Sequence, residues 1–137
     1  MNTPKLVFIV EDNPAHQKML QVHFEQMLGN YQVKTFDTPD AMMAELETKP
    51  FAIVLDHYFP KGKTGMEYLR QIKKKHRSTP VIYYTTATDE KIREEAKNAG
   101  ADDYIVKDEA SLVRLRTALD QIAEASSKKG FFKKLFG

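Results

Sequence analysis

The sequence predicts an α/β fold in which helices cover both faces of a parallel sheet. Short apolar runs alternate with longer segments that carry apolar residues at helical spacing. Continuous apolar runs are typical of strands buried on both faces, and strands that alternate with helices form parallel βαβ units. The alternation occurs five times along the chain, which indicates a doubly wound sheet of five strands.

Five segments are predicted as strands because they are rich in apolar, β-branched and aromatic residues. The segment at residues 31–36 alternates apolar and polar positions, which favours a strand at the edge of the sheet. In chain order, the predicted strands cover residues 6–10, 31–36, 52–56, 81–85 and 104–106.

Five helices are predicted after these strands. Asn13-Pro14 and Thr38-Pro39 each combine a capping residue with a proline suited to the first helical position. The first helix should reach about Leu28, where Gly29-Asn30 is a stop signal, and the second should end before Pro50. The other three helices are predicted after the loop that contains Gly65, after Thr88 or Asp89, and from Glu109 to about Ser126.

The inward faces of these helices are predicted from apolar residues at helical spacing. These candidate core residues are Leu20, Phe24, Met27, Leu28, Met42, Leu46, Met66, Leu69, Ile72, Leu112, Leu115, Leu119 and Ile122.

Composition excludes several classes of protein. The chain of 137 residues is 42% hydrophobic and 29% charged, which fits one globular domain. It has no cysteine, so disulfides, zinc–thiolate sites and thiol nucleophiles are excluded. No segment approaches the roughly 20 apolar residues that span a membrane, and the N-terminus does not resemble a signal peptide. We therefore expect a cytoplasmic protein.

The net charge of +2 is unevenly distributed. Residues 126–137 hold four lysines and no acid, so the rest of the chain carries a net charge of −2. Because a nucleic-acid surface needs a basic patch, the body of the protein is not expected to bind nucleic acid.

Polar side chains end four of the predicted strands. Glu11 and Asp12 follow the first strand, Asp56 and Thr85 end the third and fourth, and Lys107 follows the fifth. The C-terminal ends of parallel strands share one edge of the sheet, where ligands bind. Carboxylates gathered there would repel one another unless a divalent cation lay among them, and oxygen ligands near a phosphate suit Mg²⁺.

These side chains also suit phosphoryl chemistry. Asp56 could attack phosphorus and become an aspartyl phosphate. Lys107 could place an ammonium group, and Thr85 a hydroxyl group, on the oxygens of the phosphoryl group. The edge is therefore predicted to be a magnesium and phosphoryl site.

In their order and spacing, these residues resemble the receiver domain of two-component response regulators. The matching motifs are Glu11-Asp12, Leu55-Asp56 with Pro60 four residues later, Pro80-Val81-Ile82-Tyr83-Tyr84-Thr85, and Gly100-Ala101-Asp102-Asp103-Tyr104-Ile105-Val106-Lys107. The resemblance extends over residues 5 to about 125 and implies a flavodoxin-like sheet with strand order 2-1-3-4-5. It implies that Asp56 accepts a phosphoryl group from the phosphohistidine of a sensor histidine kinase or of a histidine phosphotransfer protein.

The resemblance also assigns roles around Asp56. Phosphorylation would draw Thr85 toward the phosphoryl group and let the Tyr104 ring turn inward, and a downstream protein would read the face of the fourth helix, fifth strand and last helix. Such a protein is a signalling switch that catalyses its own phosphorylation and dephosphorylation, not a turnover enzyme. The Mg²⁺ ligands implied are Glu11, Asp12, Asp56 and the backbone carbonyl of Tyr58.

Two departures from the family pattern concern loops beside the site. Lys107 is followed by Asp108 instead of the usual proline, so a cis peptide bond there would cost about 3 kcal/mol. Either this bond is trans or nearby contacts compensate. The loop at residues 60–65 is one residue longer than usual before its glycine and is expected to shape kinase docking.

Two further departures concern the lifetime of the phosphoryl group. Thr86 stands where the family prefers a smaller residue, and Tyr58 and Ala87 occupy the positions that tune hydrolysis. Neither Tyr58 nor Ala87 would readily orient an attacking water. We therefore expect a long-lived aspartyl phosphate, with Thr86 and Tyr58 as shields.

A basic-aromatic tail at residues 126–137 follows the predicted receiver domain at residues 1–125. A helical turn would place four apolar side chains on one side of the tail and the lysines on the other. Three roles are open: an interfacial anchor on an anionic membrane, a docking peptide for a groove on a partner protein, or a segment folded back on the body. Too few residues remain for a DNA-binding domain, so we expect output through protein contact or localisation.

Other functions fit less well. A haloacid-type phosphatase would need a second aspartate where Tyr58 stands, and a flavin-binding protein would need a phosphate loop where Glu-Asp-Asn-Pro follows the first strand. The main alternative is a receiver-like interaction module that is not phosphorylated.

Overall fold

The computed structural model describes residues 3–27 and 30–136. Five strands pair in parallel to form one sheet of order β2-β1-β3-β4-β5, which confirms the predicted topology. The strands are β1 (Lys5–Val10), β2 (Tyr31–Phe36), β3 (Ala52–Leu55), β4 (Val81–Thr85) and β5 (Asp103–Val106).

Five α-helices follow the strands, and none in the described part of the chain is long and apolar enough to cross a membrane. Two short 3₁₀ segments, Leu46–Thr48 and Pro60–Gly62, lie before β3 and α3. The helices are α1 (Pro14–Met27), α2 (Pro39–Met43), α3 (Gly65–Lys75), α4 (Glu90–Asn98) and α5 (Ser111–Phe136).

The second helix is shorter than predicted. The Thr38 hydroxyl caps its start by accepting a hydrogen bond from the Ala41 N–H at 3.2 Å. The α-helix ends at Met43, however, and a 3₁₀ turn completes the segment at Lys49, whose φ of 54° is left-handed. Pro50 then begins the approach to β3.

Helix α5 is longer than predicted and runs without interruption to Phe136. Gly130 lies inside it with open space around its Cα, so it does not act as a stop signal. The aromatic side chains of the tail are exposed, so the interpretation of a segment folded back on the body is wrong. The predicted Leu28 end of α1 and its Gly29 stop signal fall outside the residues that the structure describes, as do the side chains of the core positions Met27 and Leu28.

The core has two layers, because successive strand residues face opposite sides of the sheet. One layer packs α2, α3 and α4 on the sheet, and the other packs α1 and α5 on the opposite face. Leu112 and Ile122 are partly buried, and the remaining described core candidates are buried, as predicted: Leu20, Phe24, Met42, Leu46, Met66, Leu69, Ile72, Leu115 and Leu119.

Candidate functional site

Strand register brings the predicted site residues to one edge of the sheet. Val10 at the end of β1 pairs with Leu55 at the end of β3. Glu11 and Asp56, the next residue of each strand, therefore lie side by side at the edge of the sheet. The Lys107 N–H donates to the Thr85 carbonyl at 2.8 Å, which holds the end of β5 beside the end of β4.

An ammonium group joins two carboxylates at this edge. Lys107 Nζ lies 2.8 Å from Asp56 Oδ2 and 3.1 Å from Glu11 Oε2. The side chains of Lys107, Asp56 and Glu11 are only 16%, 13% and 6% exposed. Burial alone lowers the pKa of Lys107, but the hydrogen bonds and negative charges of Asp56 and Glu11 outweigh it and raise the pKa above its ordinary value. The lysine is therefore charged, and the three groups together carry an excess negative charge.

The backbone of the loop after β3 holds the second oxygen of the Asp56 carboxylate. Asp56 Oδ1 accepts a hydrogen bond from the His57 N–H at 2.6 Å and lies 3.4 Å from the Tyr58 backbone nitrogen. Gly65, at the start of α3, donates its N–H to the His57 carbonyl at 2.8 Å. A Cβ on Gly65 would lie 1.9 Å from the Asp56 carbonyl oxygen, so only glycine allows α3 to approach this closely.

Glu11 is oriented by the start of α1. Its Oε1 lies 3.0 Å from His16 Nδ1, and the Gln17 side-chain amide donates to the Glu11 carbonyl. Asp12, by contrast, is exposed. Within residues 3–27 and 30–136, no three His, Asp or Glu side chains lie close enough together to hold a metal ion. The structure thus brings Glu11 and Asp56 together but does not gather Asp12 with them.

Thr85 and Tyr104 meet at the loop after β4. Thr85 is fully buried, and its hydroxyl oxygen accepts a hydrogen bond from the Ala87 N–H at 3.3 Å. The Tyr104 hydroxyl donates to the Ala87 carbonyl at 2.7 Å. Both predicted switch residues therefore contact the backbone of the same residue.

Sequence reasoning missed a buried pair that lies between Asp56 and Tyr104. His57 Nδ1 lies 2.6 Å from the Tyr83 hydroxyl, and the Tyr83 ring stacks on the Tyr104 ring with centroids 5.6 Å apart. Burial lowers the pKa of His57 and raises that of Tyr83, so both are neutral near pH 7. The strand alternation could have shown that Tyr83 faces α3, but no sequence signal pairs it with His57.

The peptide bond between Lys107 and Asp108 is trans, as are all peptide bonds in the described ranges. Asp108 Oδ1 accepts a hydrogen bond from the Ala110 N–H at 2.9 Å, and its Oδ2 lies 2.7 Å from Arg114 Nη2. Asp108 therefore organises the start of α5 in place of the family's usual proline.

Tyr58 and Thr86, the two predicted shields, both have exposed side chains. The Tyr58 ring is 55% exposed and packs edge-on against His57 at 4.9 Å. Tyr58 also forms an isolated bridge with Thr64, which pins the loop at residues 60–65 near the site.

Comparison with known proteins agrees with this architecture. A family described as the response regulator receiver domain matches residues 7–120. The chain is 31% identical over 123 residues to the probable C4-dicarboxylate response regulator DctR of Halalkalibacterium halodurans, covering 89% of this chain and 53% of that protein. It is 34% identical over 102 residues to the transcriptional regulatory protein ResD of Bacillus subtilis, covering 74% and 41%. The chain thus spans about half the length of the curated relatives it matches.

Solved structures agree as well. The response regulator DrrB of Thermotoga maritima is 27% identical with a TM-score of 0.78, over 90% of this chain and 54% of that one. The phosphorylated cyanobacterial phytochrome response regulator RcpA is 28% identical with a TM-score of 0.73, over 89% and 93%. The parallel sheet, the acidic edge with its buried lysine and the match over residues 7–120 lead to one conclusion: the chain belongs to the response regulator receiver domain family, a family of signalling switches.

Proposed function

We propose that Asp56 accepts a phosphoryl group from the phosphohistidine of a sensor histidine kinase or a histidine phosphotransfer protein. The observation that carries the proposal is the nearly buried Asp56 carboxylate at the end of β3 with the Lys107 ammonium 2.8 Å away. An Asp56 oxygen attacks phosphorus, the bond between phosphorus and the imidazole nitrogen breaks, and its electron pair stays on that nitrogen. Lys107 then offsets the charge of the phosphoryl oxygens.

The donor set fits Mg²⁺. Mg²⁺ takes one or two carboxylates and keeps several waters, so the pair Glu11 and Asp56 suffices as a core, and the exposed Asp12 can join them. The excess negative charge around Lys107 favours a further cation here. Together with the Tyr58 carbonyl, these residues would hold the ion. When bound, Mg²⁺ neutralises charge on the transferred phosphoryl group.

Thr85, the Ala87 backbone and Tyr104 are proposed to carry the signal away from Asp56. If the Thr85 hydroxyl turns to a phosphoryl oxygen, it gives up its bond with the Ala87 N–H, and the Ala87 carbonyl that binds Tyr104 is free to shift. Tyr104 lines a groove on the face of α4, β5 and α5 together with Arg93 and Arg114. We propose that a downstream protein binds this face.

The phosphodonor protein is proposed to approach over α1. A groove beside Glu11 and Lys107 continues between α1 and α5 and is lined by Met19 and Leu112. Met19 is 46% exposed and gives this groove an apolar side chain that a protein bound next to the reacting groups would cover.

The tail offers a second contact surface, for which a membrane and a groove on a partner protein both remain candidates. The predicted absence of a nucleic-acid partner and the predicted cytoplasmic location stay predictions.

Acetyl phosphate with Mg²⁺, followed by intact mass measurement, tests the proposal. We expect a single phosphoryl adduct on the wild-type chain and on the control Glu67→Gln, which removes an exposed carboxylate on α3, and none on Asp56→Ala. An adduct that persists in Asp56→Ala would overturn the assignment of Asp56. If neither acetyl phosphate nor phosphorylated histidine phosphotransfer proteins gave an adduct, the unphosphorylated interaction module would replace the proposal.

A further inference from the structure

The second half of α5 extends past the core of the domain. Leu115 and Leu119 bury the first half of the helix against the sheet, and Ile122 is partly buried. Residues 124–136 are all exposed. This part of the helix therefore makes little contact with the body of the protein, and packing in the domain does not explain its sequence.

Four large apolar side chains lie uncovered on this segment. Phe131, Phe132, Leu135 and Phe136 are 60%, 57%, 57% and 78% exposed. The rings of Phe132 and Phe136 stack on each other with centroids 5.9 Å apart, and the Phe131 ring packs edge-on against that of Phe132 at 6.0 Å. A patch of bulky side chains at this exposure marks a site of contact with another surface.

The shape of the patch favours a membrane surface over a protein groove. At about 100° per residue, the four apolar side chains spread over an arc of about 140° within two turns. A helix that binds a groove presents a narrower row of anchors at i, i+3, i+4 and i+7 along its length. A lipid surface has no fixed holes and accepts a broad, short apolar face.

The charges of the segment complement anionic headgroups. Lys129 and Lys133 flank one side of the apolar arc and Lys134 the other, and no acid follows Glu124 in the chain. Lys128 lies on the arc one turn earlier, where its ammonium pairs with Glu124 at 3.4 Å. Long lysine side chains at the borders of an apolar face can reach headgroups while the aromatic rings enter the acyl boundary. Since no described helix can cross a membrane, the segment would lie on the surface.

The body of the protein adds basic residues at the same end. Helix α5 begins beside the site at Ser111 and runs back, so that Lys129 shares a surface depression with the residues before β3 and β4. That depression is also lined by Lys49, Lys75 and Arg77. The surface at this end of the sheet is therefore basic and adds positive charge close to the tail.

We propose that residues 128–136 bind the surface of anionic lipid membranes as an amphipathic helix, aided by the basic residues around Lys75 and Arg77. This inference does not depend on phosphorylation of Asp56. Few apolar residues take part, so the binding is reversible and weakens as salt screens the lysines.

Vesicle flotation of the full chain tests the inference. We expect the chain to float with vesicles of phosphatidylcholine and phosphatidylglycerol and to bind vesicles of phosphatidylcholine alone at least tenfold more weakly. Phe132→Ser/Phe136→Ser should reduce binding at least tenfold. The control Val113→Ser, which changes a 59% exposed side chain at the start of α5, should leave binding unchanged. Because all these side chains are exposed, the variants should fold.

A fluorescence experiment gives an independent readout. The chain has no tryptophan, so Phe132→Trp introduces a single reporter. Its emission should shift to the blue with anionic vesicles, while that of Val113→Trp should not. The inference is overturned if the wild-type chain fails to bind anionic vesicles, which would leave a protein groove as the partner. It is equally overturned if the double serine variant binds as well as the wild type, since the lysines alone would then explain binding.

Discussion

At the residue scale, the positive charge of Lys107 allows the largely buried carboxylates of Glu11 and Asp56 to lie close together. Its Nζ contacts both carboxylates, and the ring of Tyr84 lies 5.3 Å from it. Removing the ammonium leaves two largely buried carboxylates to repel each other. Its contribution to stability should therefore depend on whether another cation can take its place.

We predict that Lys107→Gln lowers the free energy of unfolding by about 1–3 kcal/mol in the absence of divalent cations. Millimolar Mg²⁺ should restore part of this loss, because it compensates the same carboxylates. Denaturant unfolding with and without Mg²⁺ measures both effects. The control Lys91→Gln, an exposed lysine on α4, should change little. Equal stability of Lys107→Gln and the wild type in metal-free buffer would contradict the prediction.

His57 and Tyr83 form a buried pair next to Asp56 and support the candidate site. Tyr83→Phe leaves His57 Nδ1 without its 2.6 Å partner in a buried position. We expect a loss of about 1–3 kcal/mol in the free energy of unfolding, the cost of a buried polar group left unsatisfied. Tyr58→Phe removes a hydroxyl from a 55% exposed ring and is the matched control. Denaturant titration should separate the two variants, and an equal, small effect in both would contradict this account.

We predict that single residues also determine the lifetime of the aspartyl phosphate. Thr86 stands where the family prefers a smaller residue, and Tyr58 stands at a position that tunes hydrolysis without an acid or amide to orient water. Thr86→Ala, which opens access to the phosphoryl group, and Tyr58→Asn, which adds a water-orienting amide, should therefore each shorten the half-life of the aspartyl phosphate several-fold. Intact mass at successive times after removal of acetyl phosphate follows the decay. Thr88→Ala, an exposed threonine in the same loop, is the control. If neither variant shortens the half-life, shielding is not the cause of a long lifetime.

At the element scale, the closeness of α3 to the end of β3 depends on Gly65, while Gly130 in α5 has open space. Gly65→Ala would force a Cβ to within 1.9 Å of the Asp56 carbonyl oxygen, and it should cost at least about 1–3 kcal/mol and disturb phosphorylation. Gly130→Ala should stabilise α5 by about 0.5–1 kcal/mol, because alanine is the better helix former. Thermal unfolding of both variants measures the contrast. Loss of stability in Gly130→Ala would contradict the exposed helical position.

The elements also show what the sequence could predict. The sequence predicts each strand to within one residue at either end, because short apolar runs leave few alternatives, and the family resemblance implies the order of the strands. The early end of α2 at Met43 was missed, since Met42 and Leu46 satisfy helical spacing whether the chain between them is α or 3₁₀. The extension of α5 beyond Ser126 differs from the prediction, because the change to a composition rich in lysine and phenylalanine marks a distinct segment without interrupting the helix.

For the candidate site as well, the sequence predicts some of the contacts and misses others. Glu11, Asp56 and Lys107 converge as predicted because parallel register fixes the level at which each strand ends. Asp12 is exposed in the loop between β1 and α1, and the periodicity of the sequence does not predict where a loop side chain points. Contacts between side chains that are distant in sequence, such as that between His57 and Tyr83, produce no periodic pattern from which they could be predicted.

At the scale of the whole molecule, the two ends of the sheet carry different surfaces. Asp56 and Lys107 lie at the C-terminal ends of the strands, whereas the exposed aromatic end of α5 and the basic residues around Lys75 lie toward the opposite end. A chain bound to a membrane through its tail would therefore keep the phosphoryl site turned away from the lipid. Docking and phosphorylation should be compatible.

We predict that saturating anionic vesicles change the rate of phosphorylation by acetyl phosphate less than twofold. Acetyl phosphate is small and reaches Asp56 from solvent, so its rate reports access to the site itself. Intact mass at successive times, on chain recovered from the floating fraction, gives the rate on the membrane. The variant Phe132→Ser/Phe136→Ser, which should stay in solution, sets the reference under the same vesicle concentration. A rate that falls several-fold only for the bound wild-type chain would mean that the site faces the lipid, and the two surfaces would then compete instead of acting together.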